Sequence, residues 1–238
     1  MGDTGGRRVA VLQSNYVPWR GYFDLIHDVD VFIFYDEVQY TKNDWRNRNR
    51  IVTPNGPQWL TVPVFGSTGK SIREVEIVPG RWGEKHYQAL RTNYGKAPFF
   101  EMYRPWLEEV YRQDWRSLSA LNQALIQKIA RDFLGIRTQF RQSSDFLSQG
   151  KRSEKLLSLL KSSGASTYVS GPAARSYLEL PAFRDAGIEV VWKDYAGYPA
   201  YPQRSDEFYP AVSILDLLLN VGEKAPDLIC YSDRKSVV

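Results

Sequence analysis

The side chains able to do acid–base or nucleophilic chemistry are few in these 238 residues, with two histidines, His27 and His86, and one cysteine, Cys230. His86 shares a helical face with Trp82 and Asn93, where an imidazole suits a general base with a pKa near working pH. His27 falls at the end of a short helix, and a favourable C-terminal charge is enough to explain it. Asp36 stands at the polar end of an apolar run, a position from which a carboxylate can enter a ligand crevice. Gln13 and Asn15 donate and accept hydrogen bonds without titrating, which suits orienting an amide or thioester carbonyl; turn chemistry explains Asn15 equally. Arg46, Arg48 and Arg50 alternate, so an extended chain points all three to one side. Three guanidiniums together suit a phosphate or carboxylate, and a solvated charged face is the competing explanation. Ser170 and Gly171 follow another apolar run and suit a backbone-donor turn for an anion or oxyanion. Ser170 lacks the G-x-S-x-G elbow, and Cys230 sits in a tail with no base beside it, so neither is expected to be a nucleophile.

These residues need elements to hold them. Residues 9–12 and 29–35 are short apolar runs that spill into polar residues, the pattern of buried parallel strands. The loops leaving the carboxyl ends of such strands form the crevice in which α/β proteins bind ligands. Gln13, Asn15, Asp36, Gln39 and the arginines are therefore expected to wall one polar pocket. Residues 18–29 read as a helix. Residues 59–64 and 72–78 alternate with period two and predict an antiparallel hairpin, with Pro63 marking an edge. From Trp82 the period becomes helical, predicting helices over 82–94, 99–112 and 117–133, with Gly135 as a stop. The last third returns to strands at 138–141, 167–170 and 188–192. Helices are predicted over 153–162, capped by Ser153, and over 181–186 and 213–221. This alternation predicts an α/β fold with a mainly parallel sheet and flanking helices, plus an inserted β-hairpin and helical segment. One domain over 9–222 is expected, with 82–134 as a helical insertion and 1–8 and 223–238 as flexible termini.

The totals exclude several classes. The 31 Lys and Arg against 27 Asp and Glu give +4, and the basic residues are mixed with acidic ones, so nucleic acid is not an expected partner. No run reaches the roughly 18 apolar residues of a membrane helix, and residues 1–8 lack the core of a secretion signal. A single cysteine rules out an internal disulfide, and a cytoplasmic location is the expectation. Two distant histidines and one cysteine make no zinc site, and neither a P-loop nor G-x-G-x-x-G is present; no metal or cofactor is expected. Seven Trp, 15 Tyr and 11 Phe, many beside polar residues in loops, suit a pocket or an interface.

Several stretches in order resemble the WbqC-like protein family. They are Leu12-Gln13-Ser14-Asn15-Tyr16-Val17-Pro18-Trp19-Arg20-Gly21-Tyr22-Phe23-Asp24, Asp36-Glu37-Val38-Gln39-Tyr40, Trp45-Arg46-Asn47-Arg48-Asn49, Asn93-Tyr94-Gly95-Lys96-Ala97-Pro98 and Ser170-Gly171-Pro172-Ala173-Ala174. His86, Trp59-Leu60-Thr61-Val62-Pro63-Val64, Tyr201-Pro202-Gln203 and the 213–220 segment extend the resemblance to nearly the whole chain. Ser14 departs from the pattern, which usually has Pro there. The resemblance implies surface-polysaccharide or secondary-metabolite biosynthesis and amide-forming acyl or aminoacyl transfer to an amino group. The donor would be a thioester on coenzyme A or on an acidic acyl-carrier protein, and the acceptor the amine of a sugar or small metabolite. Residues and resemblance together set the expected site. His86 and Asp36 would be catalytic, with His86 taking the amine proton. Gln13, Asn15, Tyr16, Trp19, Gln39, Trp45, Arg46, Arg48, Asn93, Lys96, Ser170 and Gly171 would bind substrate, Arg46 and Arg48 holding a phosphate. The alternatives are a nucleotidyl-transfer enzyme lacking the H-x-G-H signature and a non-catalytic scaffold of a biosynthetic complex.

Overall fold

Three of the five strands of the main sheet are buried along nearly their whole length, which is why they read as unbroken apolar runs. The computed structural model describes residues 6–66 and 68–229. In chain order the elements are β1 (Arg8–Leu12), α1 (Arg20–His27), β2 (Val31–Phe34), β3 (Arg48–Thr53), β4 (Gly56–Thr61), α2 (Trp82–Tyr94), α3 (Phe100–Arg112), α4 (Leu118–Lys128), β5 (Gln139–Gln142), α5 (Ser153–Ser162), β6 (Thr167–Ser170), α6 (Leu180–Asp185), β7 (Glu189–Trp192) and α7 (Ile214–Val221). The sheet is parallel, in the order β5-β2-β1-β6-β7. The more exposed β5 and β7 form its edges. The fold is α/β, a five-stranded parallel sheet flanked by helices beside a two-stranded antiparallel hairpin.

Alternation along the strands divides the core. Ala10, Phe32 and Phe34 pack into one cluster with Leu90, Leu107, Leu121 and Leu125 of the helical segment. Val9, Val11, Val31 and Ile33 face the other way, onto Leu156, Leu159, Phe183 and Ile188. Side chains of this size contribute roughly 1.5–3 kcal/mol each when fully buried, so the helices over 82–134 anchor one face of the sheet. The last of them, α4, is capped by Ser117, whose hydroxyl accepts from the Ala120 N–H, and runs on into a π-helical stretch at Ile129–Phe133.

Three expectations are corrected. The hairpin is β3–β4, with Thr53 opposite Gly56; Gly56 takes φ +95° at the turn, a conformation open to glycine. The predicted partners 59–64 and 72–78 meet only at a Val64–Ile77 bridge, because Pro63 has no N–H to donate and Ile72–Glu74 close a 3-10 turn capped by Ser71 and Glu74. Ser153 is the first residue of α5 rather than its cap; Arg152 holds the cap position. Nor is the chain frayed from 223: Ala225 and Ile229 are fully buried after two short turns. At the other end, Arg7 bonds the Ser163 carbonyl at 2.8 Å and Arg8 begins β1. Cys230 lies outside the described residues.

Candidate functional site

Strand order reverses at β1, with β2 and β5 to one side and β6 and β7 to the other. In doubly wound sheets such a reversal separates the loops above two neighbouring strands and leaves a ligand crevice at their carboxyl ends. The register shows the separation. β1 pairs with β2 at four positions but with β6 only at Arg8–Thr167 and Val9–Tyr168. Beyond those pairs the strands part, and a cleft of about 810 Å³ opens between Val11-Leu12-Gln13 and Val169-Ser170-Gly171. Leu25, Val38 and Leu156 extend its apolar wall, while Gln13, Gln39 and Ser170 supply polar groups. Among the described residues, the side-chain amides of Gln13 and Gln39 make no hydrogen bond within the protein, so both remain available to a ligand. Gln13 is positioned through its backbone, whose carbonyl accepts from the Tyr22 hydroxyl at 2.9 Å.

Four predicted residues thus share one cleft: Gln13, Gln39, Ser170 and Gly171. Asp36 lies next to it but turns away. Its buried carboxylate accepts from the Ser14 N–H and hydroxyl, both at 2.8 Å, from the Ser119 hydroxyl, and from Gln123 at 2.9 Å. Four donors leave this carboxylate no evident reach toward a substrate; it ties the loop after β1 to α4. Asp36 and Glu37 also border a smaller hollow of about 250 Å³ with Arg73, Gln123 and Gln142.

The remaining expectations are redistributed by the fold. His86 is buried and apart from the cleft, beside a hollow of about 310 Å³ with Thr61, Pro63 and Lys85. Its Nε2 lies 3.1 Å from the Thr61 carbonyl, which can only accept, so Nε2 carries the proton. Nδ1 then accepts from the Tyr16 hydroxyl at 2.8 Å, and Tyr16 accepts from Tyr111 at 2.8 Å. Burial, partly opposed by the bond to Thr61, lowers the His86 pKa to about 4. The imidazole is a neutral strut with both ring nitrogens bonded inside the protein. Tyr16, wholly buried in the same chain of bonds, is likewise removed from the cleft.

Arg46 donates to Asn15 Oδ1 and lies 3.8 Å from Asp44, so the two predicted ligand residues bond one another, although the buried Arg46 Nε has no partner among the described residues. Arg48 bonds the Asn43 carbonyl and stacks 4.3 Å over Trp59. Trp45 and Trp59, both about two-fifths exposed, sit 5.5 Å apart on the outer face of the hairpin. Trp19 packs edge-on to Tyr195 and Tyr198. Asn93 bonds Ala89 within α2, and Lys96 is exposed on the turn that follows; neither lines the cleft.

Sequence reasoning missed Tyr35, Arg152, Lys155 and Glu179, all on the cleft wall. It also missed the buried Asp24, which holds Lys193 at 2.8 Å and accepts from Tyr198. This cluster fastens the tyrosine-rich 195–209 segment beside the cleft, where the Tyr195 hydroxyl approaches Gly171. Desolvation first, then Asp24, raises the Tyr195 pKa to about 12, so its hydroxyl stays protonated and can donate. A second groove of about 840 Å³ lies between α2 and α3. Three of its arginines are matched by ion pairs, Arg81–Glu84, Arg104–Glu101 and Arg112–Glu108.

The family model described as the WbqC-like protein family matches residues 13–228. The chain is also 48% identical over 228 residues to Uncharacterized protein Rv1507c of Mycobacterium tuberculosis (strain ATCC 25618 / H37Rv), covering 94% of this chain and 98% of that one. No solved structure matches it. Among the described residues, no helix is long and apolar enough to cross a membrane, and no group of three or more His, Cys, Asp or Glu could hold a metal ion.

Proposed function

The chain belongs to the WbqC-like protein family, and from that premise and the cleft geometry we propose that it is a transferase forming an amide at the parted ends of β1 and β6. The donor is an acyl or aminoacyl thioester and the acceptor an amine of a sugar or small metabolite, in a polysaccharide or secondary-metabolite pathway. The amine nitrogen attacks the thioester carbonyl carbon; the C–N bond forms, the C–S bond breaks, and the thiol leaves with the proton the nitrogen gives up. Because a thioester is already activated, positioning and modest proton transfer suffice. The observation that carries the reading is the cleft itself, with apolar walls for a chain and uncommitted Gln13 and Gln39 amides for a carbonyl; the Ser170 hydroxyl on the same wall donates to Tyr168 at 3.1 Å. Glu179, the one carboxylate lining the cleft among the described residues, replaces His86 as the group that takes the amine proton and passes it to the departing thiolate.

The test is a screen of acyl-coenzyme A and acyl-loaded carrier protein against an amine panel, with amide products read by mass spectrometry. Gln13→Ala is expected to lower kcat/KM about 100-fold, the scale of losing one carbonyl-directed donor, without changing the melting temperature. An unaltered rate in that variant, or no amide from any pairing, contradicts the proposal. The doubly wound strand order also suits a nucleotide, so the screen includes nucleoside triphosphates. Against that reading, Arg20 and Gly21 at the start of α1 are buried, which closes the helix terminus after β1 to a phosphate.

A further inference from the structure

With Arg46 and Arg48 committed to Asn15, Asp44 and Asn43, the predicted phosphate clamp is not where the sequence put it. We propose that Arg152 and Lys155 form a phosphate subsite on the rim of the cleft, so that the donor is a phosphate-bearing acyl thioester whose chain lies along Leu12, Val38 and Leu156. This rests on the cleft being the donor site.

Both cations line the cleft, three positions apart across the start of α5. Among the described residues neither enters an ion pair, although Glu179 lines the same cleft. Two cations against one carboxylate, with none of the three paired, leave a net positive wall available to an anion. Lys155 is steadied by the Tyr35 ring, its ammonium 6.0 Å from the centroid. Arg152 takes φ +50° and ψ −120°, a backbone conformation that favours glycine, yet the position holds the longest cationic side chain. A non-glycine residue kept there invites a role for its side chain. Leu12, Leu25, Val38 and Leu156 line the same cleft, so it suits a molecule that carries both an anionic group and an apolar chain. An acyl chain joined through a thioester to phosphorylated pantetheine has that form, whether the phosphate belongs to coenzyme A or to a carrier protein.

The experiment measures the affinity of octanoyl-coenzyme A, octanoyl-phosphopantetheine and octanoyl-pantetheine by calorimetry, for the full-length protein and for the Arg152→Gly and Lys155→Gln variants. The two phosphorylated thioesters are expected to bind at least about 10-fold more tightly than octanoyl-pantetheine, the scale of one charge-assisted contact. That advantage is expected to shrink in each variant and vanish in the double variant, while octanoyl-pantetheine binding stays level. Arg152→Gly also relieves the backbone, so misfolding is not an explanation for its loss. Competition between octanoyl-coenzyme A and octanoyl-loaded carrier protein identifies the source of the phosphate, and a preference for either agrees with the subsite. Equal affinity with and without phosphate, or an advantage that survives both substitutions, overturns the subsite and leaves the cleft reading intact. If none of the three thioesters binds, the cleft reading falls with it.

Discussion

Replacing Asp36 by alanine is expected to destabilise the protein by about 3–5 kcal/mol, the range in which a buried, multiply bonded polar group is lost. For a chain of this size that lowers the melting temperature by roughly 10 °C. The carboxylate has no cation within ion-pair distance among the described residues, so its charge is balanced by the donors on Ser14, Ser119 and Gln123. Alanine removes the acceptor of the Ser14 N–H and of the Ser14 and Ser119 hydroxyls, while Gln123 keeps Ser119 and Gln142 as acceptors, in a site from which Asp36 itself is 97% shielded. Asp36→Asn is predicted to be milder, about 1–2 kcal/mol. Its carbonyl can still accept from the Ser14 N–H, and the serine hydroxyls can turn to accept from its amide. Chemical denaturation of the three proteins, with slopes that stay equal, checks the ordering. An alanine variant within about 1 kcal/mol of the parent contradicts a structural role, and one that is folded but inactive returns Asp36 to the chemistry.

The second large effect concerns pH. The folded protein holds His86 at a pKa of about 4 against an ordinary 6.5, so in the native state it resists protonation that the unfolded chain accepts. Its contribution is present in full above about pH 6.5 and is lost as pH falls from 6.5 toward 4. One pKa unit corresponds to about 1.4 kcal/mol, so the loss over that window is about 3 kcal/mol. Carboxylates add their own titration below about pH 5, so the comparison is with His86→Gln, whose stability is expected to be lower at pH 7.5 but flatter between 6.5 and 5. Parallel profiles for the two proteins sink this description of His86. The same variant separates structure from chemistry: amide formation by folded His86→Gln is expected to persist, whereas a general base would take the activity with it.

Much of this arrangement could be read from residue order. β1, β2 and β6 announce themselves because both faces are covered and nothing interrupts the apolar run; the polar residues after β1 and β6 then fall at a ligand crevice by the general geometry of parallel sheets. Gln13, Gln39, Ser170 and Gly171 were accessible for that reason. His86 was not, because its character is set by Tyr16, 70 positions earlier, and by the Thr61 carbonyl, neither of which a helical period reveals. The hairpin was misplaced because the period-two pattern around Pro63 outweighed the Pro54-Asn55-Gly56 turn. The arginine ribbon does turn its alternate residues outward, yet local partners and the two tryptophans absorb its guanidiniums. Arg152 and Lys155 could not be assigned beforehand, since only the strand order carries the start of α5 to the mouth above β1.

The central claim is the place of binding, and photolabelling tests it most directly. Octanoyl-coenzyme A with a photoreactive terminal carbon, irradiated with the protein and followed by peptide mapping, is predicted to mark the apolar cleft wall at Leu12, Leu25, Val38 or Leu156. Labelling confined to the α2–α3 groove or to the Trp45–Trp59 face would contradict it.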